Sequence, residues 1–512
     1  MSFSGRAKII SNTLMLYIRM LLILLVSLYT VRLLLNILGV IDYGIYNVVG
    51  SVVSMFSFIS YSLSVATQRY FSFEIGCGNR QRLIQTFQIV LIIYGTLAIF
   101  LFFTIEVLGY WFLTHQLVIP SDRIEAAKWI LHFSSLSFLI TIMTIPFNAM
   151  IIAKERMEAF ALISILEALL KLIAVYLLSV ISADHLKTYS ILVFLSTLLI
   201  NLSYFIYCKT RFSECILNFF WDNKIFKSII SFAGWNFFGS LASVVNSQGI
   251  NLLINIFFGP AINAARGIAY QANALVNQFV LNFSTALNPR ITKLYAAKDS
   301  DNLRNTVFSG SKFSFFLVLI IAVPLLYETQ FVLKVWLKTV PPFSILFFQL
   351  VVVNVLIDSL SVPFQAAIQA TGIIRTYQTI IGGLLLMNLP LSYLFFTAGY
   401  PPQSCFIISI GISIIGFVAR LFFIQHQLQM SVALYFKQVV LKIFLVCLLI
   451  FPFLWILKTN IIMSPSYLSS IGFIFVSVFV SVCVIYWAGF SRHEKNYLYQ
   501  LFVGFIQKIK KQ

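Results

Sequence analysis

Charge is scarce in this chain. Only 10% of its 512 residues are Asp, Glu, Lys or Arg, against about 25% in an ordinary soluble domain. Cysteine is equally sparse. The six (Cys77, Cys208, Cys215, Cys405, Cys447, Cys483) are scattered without a CxxC pair, so they read as apolar residues or reduced thiols. The five histidines stand far from one another and from clustered carboxylates, which leaves no expected metal site and no cofactor. No GxxxxGK[ST] loop is present, so ATP hydrolysis by the chain itself is not expected. The only DxD, Asp299-Ser300-Asp301, reads as a solvated helix cap rather than a glycosyltransferase motif.

What the chain has instead is grease: 60% of its residues are hydrophobic. Fourteen apolar stretches long enough to span a bilayer fall at 12–38, 44–68, 84–113, 125–150, 158–182, 188–208, 228–258, 262–287, 306–327, 343–370, 377–398, 403–427, 438–458 and 466–489. The first is too long for a cleaved signal, contains Arg19 and Arg32, and has no small-residue cleavage site after it. Loops between spans leave no room for a soluble catalytic domain. The expected fold is therefore an all-α polytopic membrane protein.

The net charge of +19 fits this reading without nucleic acid. With an inside start, 24 Lys and Arg fall on one side of the membrane and 7 on the other. That bias puts both termini in the cytoplasm. The tail LYQLFVGFIQKIKKQ, 498–512, carries apolar residues at helical spacing and reads as an amphipathic helix on the cytoplasmic leaflet.

The chain also repeats itself. IISNTLMLY at 9–17 is answered by IISFAGWNF at 229–237, and LLLNILG at 33–39 by LLINIFFG at 252–259. Arg69 and the polar stretch after it are answered by Arg290, so all three matches lie about 220 residues apart. Six spans per repeat predict two lobes in the same orientation, 1–220 and 221–430, followed by two additional helices and a basic tail at 431–512. A duplicated unit in an apolar chain is the mark of a two-lobed transporter with its path between the lobes.

Ionisable groups inside the spans are the candidate functional residues, because each would cost about 2.5–3.5 kcal/mol at a helix centre. Arg19 and Arg32 share span 1 with no acid to neutralise them, and their spacing places them on different faces. Glu167 and Lys171 stand four apart and can pair on one face, as structural neutralisation or as substrate contact. Asp358 lies mid-span near Asn354 and Gln365, a candidate partner for a cavity cation, while Glu106 and Arg420 lie near a membrane surface. The second repeat adds an amide-rich stripe that includes Gln248, Asn251, Asn255, Asn263, Arg266 and Gln271. Such groups serve as interhelical glue or as hydrogen-bonding partners for sugars.

The segment NSQGINLLINIFFGPAINAARGIAYQANALVNQFVLNFSTALNPRITKLYAAKD at 246–299 resembles bacterial polysaccharide flippases, which handle O-antigen or capsule repeat units. These belong to the multidrug/oligosaccharidyl-lipid/polysaccharide exporter superfamily. LGVIDYGIYNVVGSVV at 38–53 and PFNAMIIAKERMEAFALISILEALLKL at 146–172 are similar to the same family. Arg290 departs from the Gln expected in the NPxI motif. The resemblance implies two six-helix lobes around a central cavity in the bacterial inner membrane. It also implies flipping of undecaprenyl-diphosphate-linked oligosaccharides to the outer face by alternating access, alongside polysaccharide polymerase machinery. Arg19, Arg32, Asn263, Arg266 and Gln271 carry over from it as cavity or gate residues. The alternatives are a cation-coupled multidrug exporter, a lipid II flippase, and, as an enzyme, a repeat-unit polymerase or polytopic glycosyltransferase.

Overall fold

A computed structural model describes the backbone of residues 3–54, 56–115, 119–181, 183–337, 340–460, 467–491 and 494–495. The expected tail helix at 498–512 lies outside the described residues, as do the side chains of Arg32, Asn255 and Asn263. Among the described residues every regular element is helical. In order these are α1 (Phe3–Ser54), α2 (Ser57–Gly76), α3 (Arg80–His115), α4 (Ile124–Ala153), α5 (Met157–Val180), α6 (His185–Arg211) and α7 (Asn223–Ala296). Then follow α8 (Ser300–Tyr327), α9 (Thr329–Leu337), α10 (Ser344–Thr371), α11 (Arg375–Thr397), α12 (Ser404–Leu428), α13 (Val432–Tyr435), α14 (Leu441–Asn460) and α15 (Tyr467–Val484).

Eleven helical stretches among the described residues are long and apolar enough to cross a membrane. The three other expected spans fall on α1 and α2 and on the second half of α7; one shorter apolar stretch there, among the described residues, is Met15–Ser27. Both α1 and α7 are pairs of helices joined at a glycine: Gly39 has φ 73° and ψ 173°, Gly259 φ 81° and ψ 179°. Only glycine adopts such a conformation without strain, and the two lie 220 residues apart.

Other local devices repeat at the same offset. Asn79 Oδ1 accepts the Arg82 amide at 3.0 Å and starts α3; Asp299 Oδ1 accepts the Asn302 amide at 3.2 Å and starts α8. Each satisfies one of the amides that a helix start leaves orphaned, so the lone DxD is a cap. Gly78 and Lys298, just before those caps, both have positive φ.

The chain divides into two compact units. One holds Lys8–Ser240 and Thr292–Lys298; the other holds Met1–Ala7, Leu241–Ile291 and Asp299–Gln512. In the first, Ile105, Ala127, Ile130, Val175 and Leu178 from α3, α4 and α5 form a fully buried core. In the second, Tyr435 is fully buried between Phe308 and Phe364, its hydroxyl 2.8 Å from Ser311 Oγ. A buried phenol needs such a partner. Lys312 Nζ pairs with Glu494 Oε2 at 2.7 Å, fixing the end of the C-terminal helix pair to α8.

Candidate functional site

The first unit contains a cavity of about 670 Å³ walled by α1, α2, α4, α5 and α6. Each wall is one helix face. On α5 the lining residues are Phe160, Ser164, Glu167 and Lys171; on α4, Thr141, Thr144, Ile145 and Asn148; on α6, Thr197, Ile200, Asn201 and Tyr204. All follow the i, i+3/i+4, i+7 spacing that stacks side chains above one another. Ser60, Tyr61 and Ser64 of α2 and Arg19 of α1 complete it. Only Ile145, Phe160 and Ile200 are purely apolar, so these helices turn their polar stripe inward.

Much of that polar lining is held by its own helix. Thr141 donates to the Ser137 carbonyl at 2.8 Å, Thr144 to Ile140 at 2.9 Å, Ser164 to Phe160 at 2.8 Å and Asn201 to Thr197 at 2.7 Å. Each keeps spare acceptor or donor capacity for a guest. Such back-bonding lets a hydroxyl sit in an apolar helix at little cost.

The charges are arranged differently. The Arg19 guanidinium lies 4.5 Å from the centroid of the Phe160 ring, and its buried Nε has no hydrogen-bond partner among the described residues. A donor left so costs about 1–3 kcal/mol until something accepts from it. Lys171 Nζ donates to Glu167 Oε1 at 2.7 Å, with both side chains close to half exposed. Two cations against one carboxylate leave the cavity with one net positive charge.

The second unit gathers another part of the expected set. Arg266 is 6% exposed, donates to Asn251 Oδ1 at 3.1 Å and to the Ser247 carbonyl at 2.7 Å, and stacks on Tyr270 at 4.3 Å. Gln248 and Gln271 are exposed and do not join this cluster. Asp358 accepts from Asn354 at 2.9 Å and from Ser413. Its company is an amide and a hydroxyl, with Arg420 in electrostatic range. Arg420 itself donates to the Tyr377 hydroxyl at 3.1 Å.

Sequence reasoning singled out Arg19 and Lys171 but missed Ser60, Ser64, Thr141, Thr144, Asn148, Thr197, Asn201 and Tyr204. Their helical periodicity inside apolar spans was the available signal. Outside the cavity, Arg69 packs on Tyr70, Phe73 and Phe232 at 4.6, 4.9 and 5.5 Å. Glu106 of α3 pairs with His132 of α4. Among the described residues no three His, Cys, Asp or Glu side chains converge to hold a metal.

The MatE family model matches residues 236–394. No curated protein matches the chain. Among solved structures, the outward-facing conformation of a multidrug resistance MATE family transporter of the MOP superfamily superposes with TM-score 0.72 at 14% identity. That match covers 82% of this chain and 95% of the other. This is the MATE transporter fold. A MATE protein in its bent conformation matches it with TM-score 0.70 at 15% identity, over 83% of this chain and 96% of that one. So does a MOP superfamily transporter from Pyrococcus furiosus whose binding pocket is described as reversed in polarity, with TM-score 0.67, 16% identity and coverage of 83% and 96%. The MATE fold takes in nearly all of those chains and leaves less than a fifth of this one outside the match. It fits the multi-pass helical architecture; it does not distinguish a drug from a glycan as cargo.

Proposed function

We propose that the chain is a membrane transporter of anionic, lipid-linked oligosaccharides, carrying a polyprenyl-diphosphate glycan from the cytoplasmic to the outer face of a bacterial inner membrane by alternating access. One observation carries this reading: a hydroxyl- and amide-lined cavity whose charges, Arg19 and Lys171 against Glu167, sum to a net positive. Each sugar hydroxyl taken from water into hydrocarbon without a partner costs about 4–8 kcal/mol on the cyclohexane scale. A polar-walled cavity removes most of that cost while the polyprenyl tail stays in lipid. Two negative charges leaving an inside-negative cell gain about 2.3 kcal/mol each per 100 mV, so the membrane potential assists export. The basic bias of the loops supports cytoplasmic termini in this arrangement.

Kinship favours a second reading. The similar structures include a multidrug resistance transporter, and the family match is to MatE, so by likeness alone cation-coupled multidrug export stands closer than glycan flipping. The chemistry of the cavity pulls the other way, because a cationic drug needs carboxylates in excess and here Glu167 is already paired with Lys171. The two readings separate in one experiment. Proteoliposomes are loaded in parallel with lipid-linked oligosaccharide and with a cationic dye. The glycan reading expects flipping that falls at least tenfold in Arg19→Ala, with no dye transport. Dye efflux that survives in Arg19→Ala, with no glycan flipping, establishes the multidrug reading instead.

A further inference from the structure

Glu167 is out of place in a cavity that is otherwise built to attract anions. It stands one turn before Lys171 on α5, its Oε1 2.7 Å from the lysine Nζ. Glu167 also lies within electrostatic range of Arg19, which approaches from α1. Neither member of the pair is locked in a core: Glu167 is 42% and Lys171 46% exposed, both toward the cavity. An ion pair this open is weak, so it can be exchanged. Arg19, by contrast, is fixed by its stack on Phe160 and presents a buried Nε with no acceptor. The cavity therefore holds one cation that is waiting and one that is already occupied.

We propose that Glu167 is a specificity-determining residue, a built-in counter-anion that a substrate must displace from Lys171. The inference rests on the reading that the cavity receives anions. A monoanion satisfies Arg19 alone and leaves the Glu167–Lys171 pair intact, so it gains a single contact. A diphosphate spans both cations, and its second charge replaces the carboxylate on Lys171. No covalent step is involved; one ion pair is traded for two. The pair thus sets a threshold on the second contact: a polyvalent headgroup holds Lys171 only by displacing the carboxylate, which limits its affinity and lets it leave again. Among the described residues the other walls offer no rival charge: α2 contributes Ser60, Tyr61 and Ser64, α6 Tyr204 beside Thr197 and Asn201, and α4 two hydroxyls and an amide beside Ile145.

The test uses probes that share one tail, farnesyl diphosphate and farnesyl sulfate, binding to the full chain in nanodiscs. The wild type is expected to bind the diphosphate at least tenfold more tightly than the sulfate. In Glu167→Gln the diphosphate should gain about tenfold and the sulfate little, so that the ratio widens, because only the diphosphate reaches Lys171 and it no longer has to displace a carboxylate there. Glu167→Ser serves as a second variant with the same expectation should the amide prevent folding. An unchanged ratio in folded Glu167 variants, with Arg19→Ala abolishing binding of both probes, overturns the threshold while leaving the anion cavity standing. Failure of the wild type to bind either probe, together with binding of a cationic dye, overturns the anion reading and this inference with it.

Discussion

The two halves put different chemistry on matching helices. Counted from their first residues, Met157 and Arg375, the α5 positions Phe160, Ser164, Glu167 and Lys171 correspond to Gln378, Gly382, Leu385 and Leu389 on α11. Where α5 sends a lysine into an open cavity, α11 seats Leu389 so tightly against Gly249 that no Cβ would fit there. Aligned on Pro146 and Pro363, Thr141 of the cavity wall answers to Asp358, and Asn201 answers to Arg420 by helix position. Those second-repeat charges are engaged with neighbours, Asp358 with Asn354 and Ser413, Arg420 with Tyr377. The glycine joints and helix caps recur at a 220-residue offset, while the side-chain chemistry around them differs. One copy keeps a net charge facing an open space, and the other spends its polar groups on packing.

The largest test of that contrast sets one arginine against another. Arg19→Ala should abolish binding of an anionic headgroup and leave thermal stability within about 1 kcal/mol, since the cation–π contact with Phe160 is its main tie. Arg266→Ala should do the reverse. It removes a buried guanidinium that holds Asn251 and the Ser247 carbonyl, and should cost about 3 kcal/mol of stability. Thermal unfolding in detergent alongside headgroup binding reads both effects. If Arg266→Ala proved as stable as wild type yet lost binding, the division of labour between the halves would be reversed.

A smaller effect examines what the halves share. Among the described residues no atom lies within 4 Å of a Cβ added at Gly39 or Gly259, so alanine there meets the strain of positive φ. Each substitution should cost about 1–3 kcal/mol, and nearly the same amount, because the two joints have similar dihedrals. A difference well above 1 kcal/mol between them, measured by chemical denaturation, would show that the joints are not equivalent parts of a repeated design.

How far the sequence revealed this depends on the cost of each group. A charge in a bilayer is expensive, so Arg19 and Lys171 stood out at once. The paired glycines and caps were legible through the 220-residue offset. Thr141, Thr144, Thr197 and Ser164 were not, because a hydroxyl bonded to its own helix carbonyl is cheap in lipid and in protein alike. Amides drew attention by density, yet Gln248 and Gln271 are exposed while Asn251 is engaged with Arg266. Composition does not say which way an amide faces. Nor could it say that the cavity lies within the first unit, since that depends on which stripe of each of five helices turns inward.

The smallest effect comes from the one repeated device whose two copies differ in charge. Asn79 and Asp299 cap α3 and α8 with the same amide contact three residues on, but only Asp299 titrates. The Asn302 side chain donates to the Asp299 carboxylate and holds its pKa below the usual carboxylate value; slight burial opposes this, and the Asn302 amide and the charge of Arg290 reinforce it. A depressed folded-state pKa means that the cap contributes fully above the unfolded value, about 3.9, and loses that contribution as pH falls through the folded value. As pH falls below about 4, the amides that open α8 should therefore lose protection from hydrogen exchange, while those that open α3 keep theirs. Losing a cap is worth about 0.5–2 kcal/mol, and this exposed site belongs at the low end. Asp299→Asn should make the two helix starts respond to acid alike. Acid sensitivity that persisted at α8 in that variant would place its origin elsewhere than the cap.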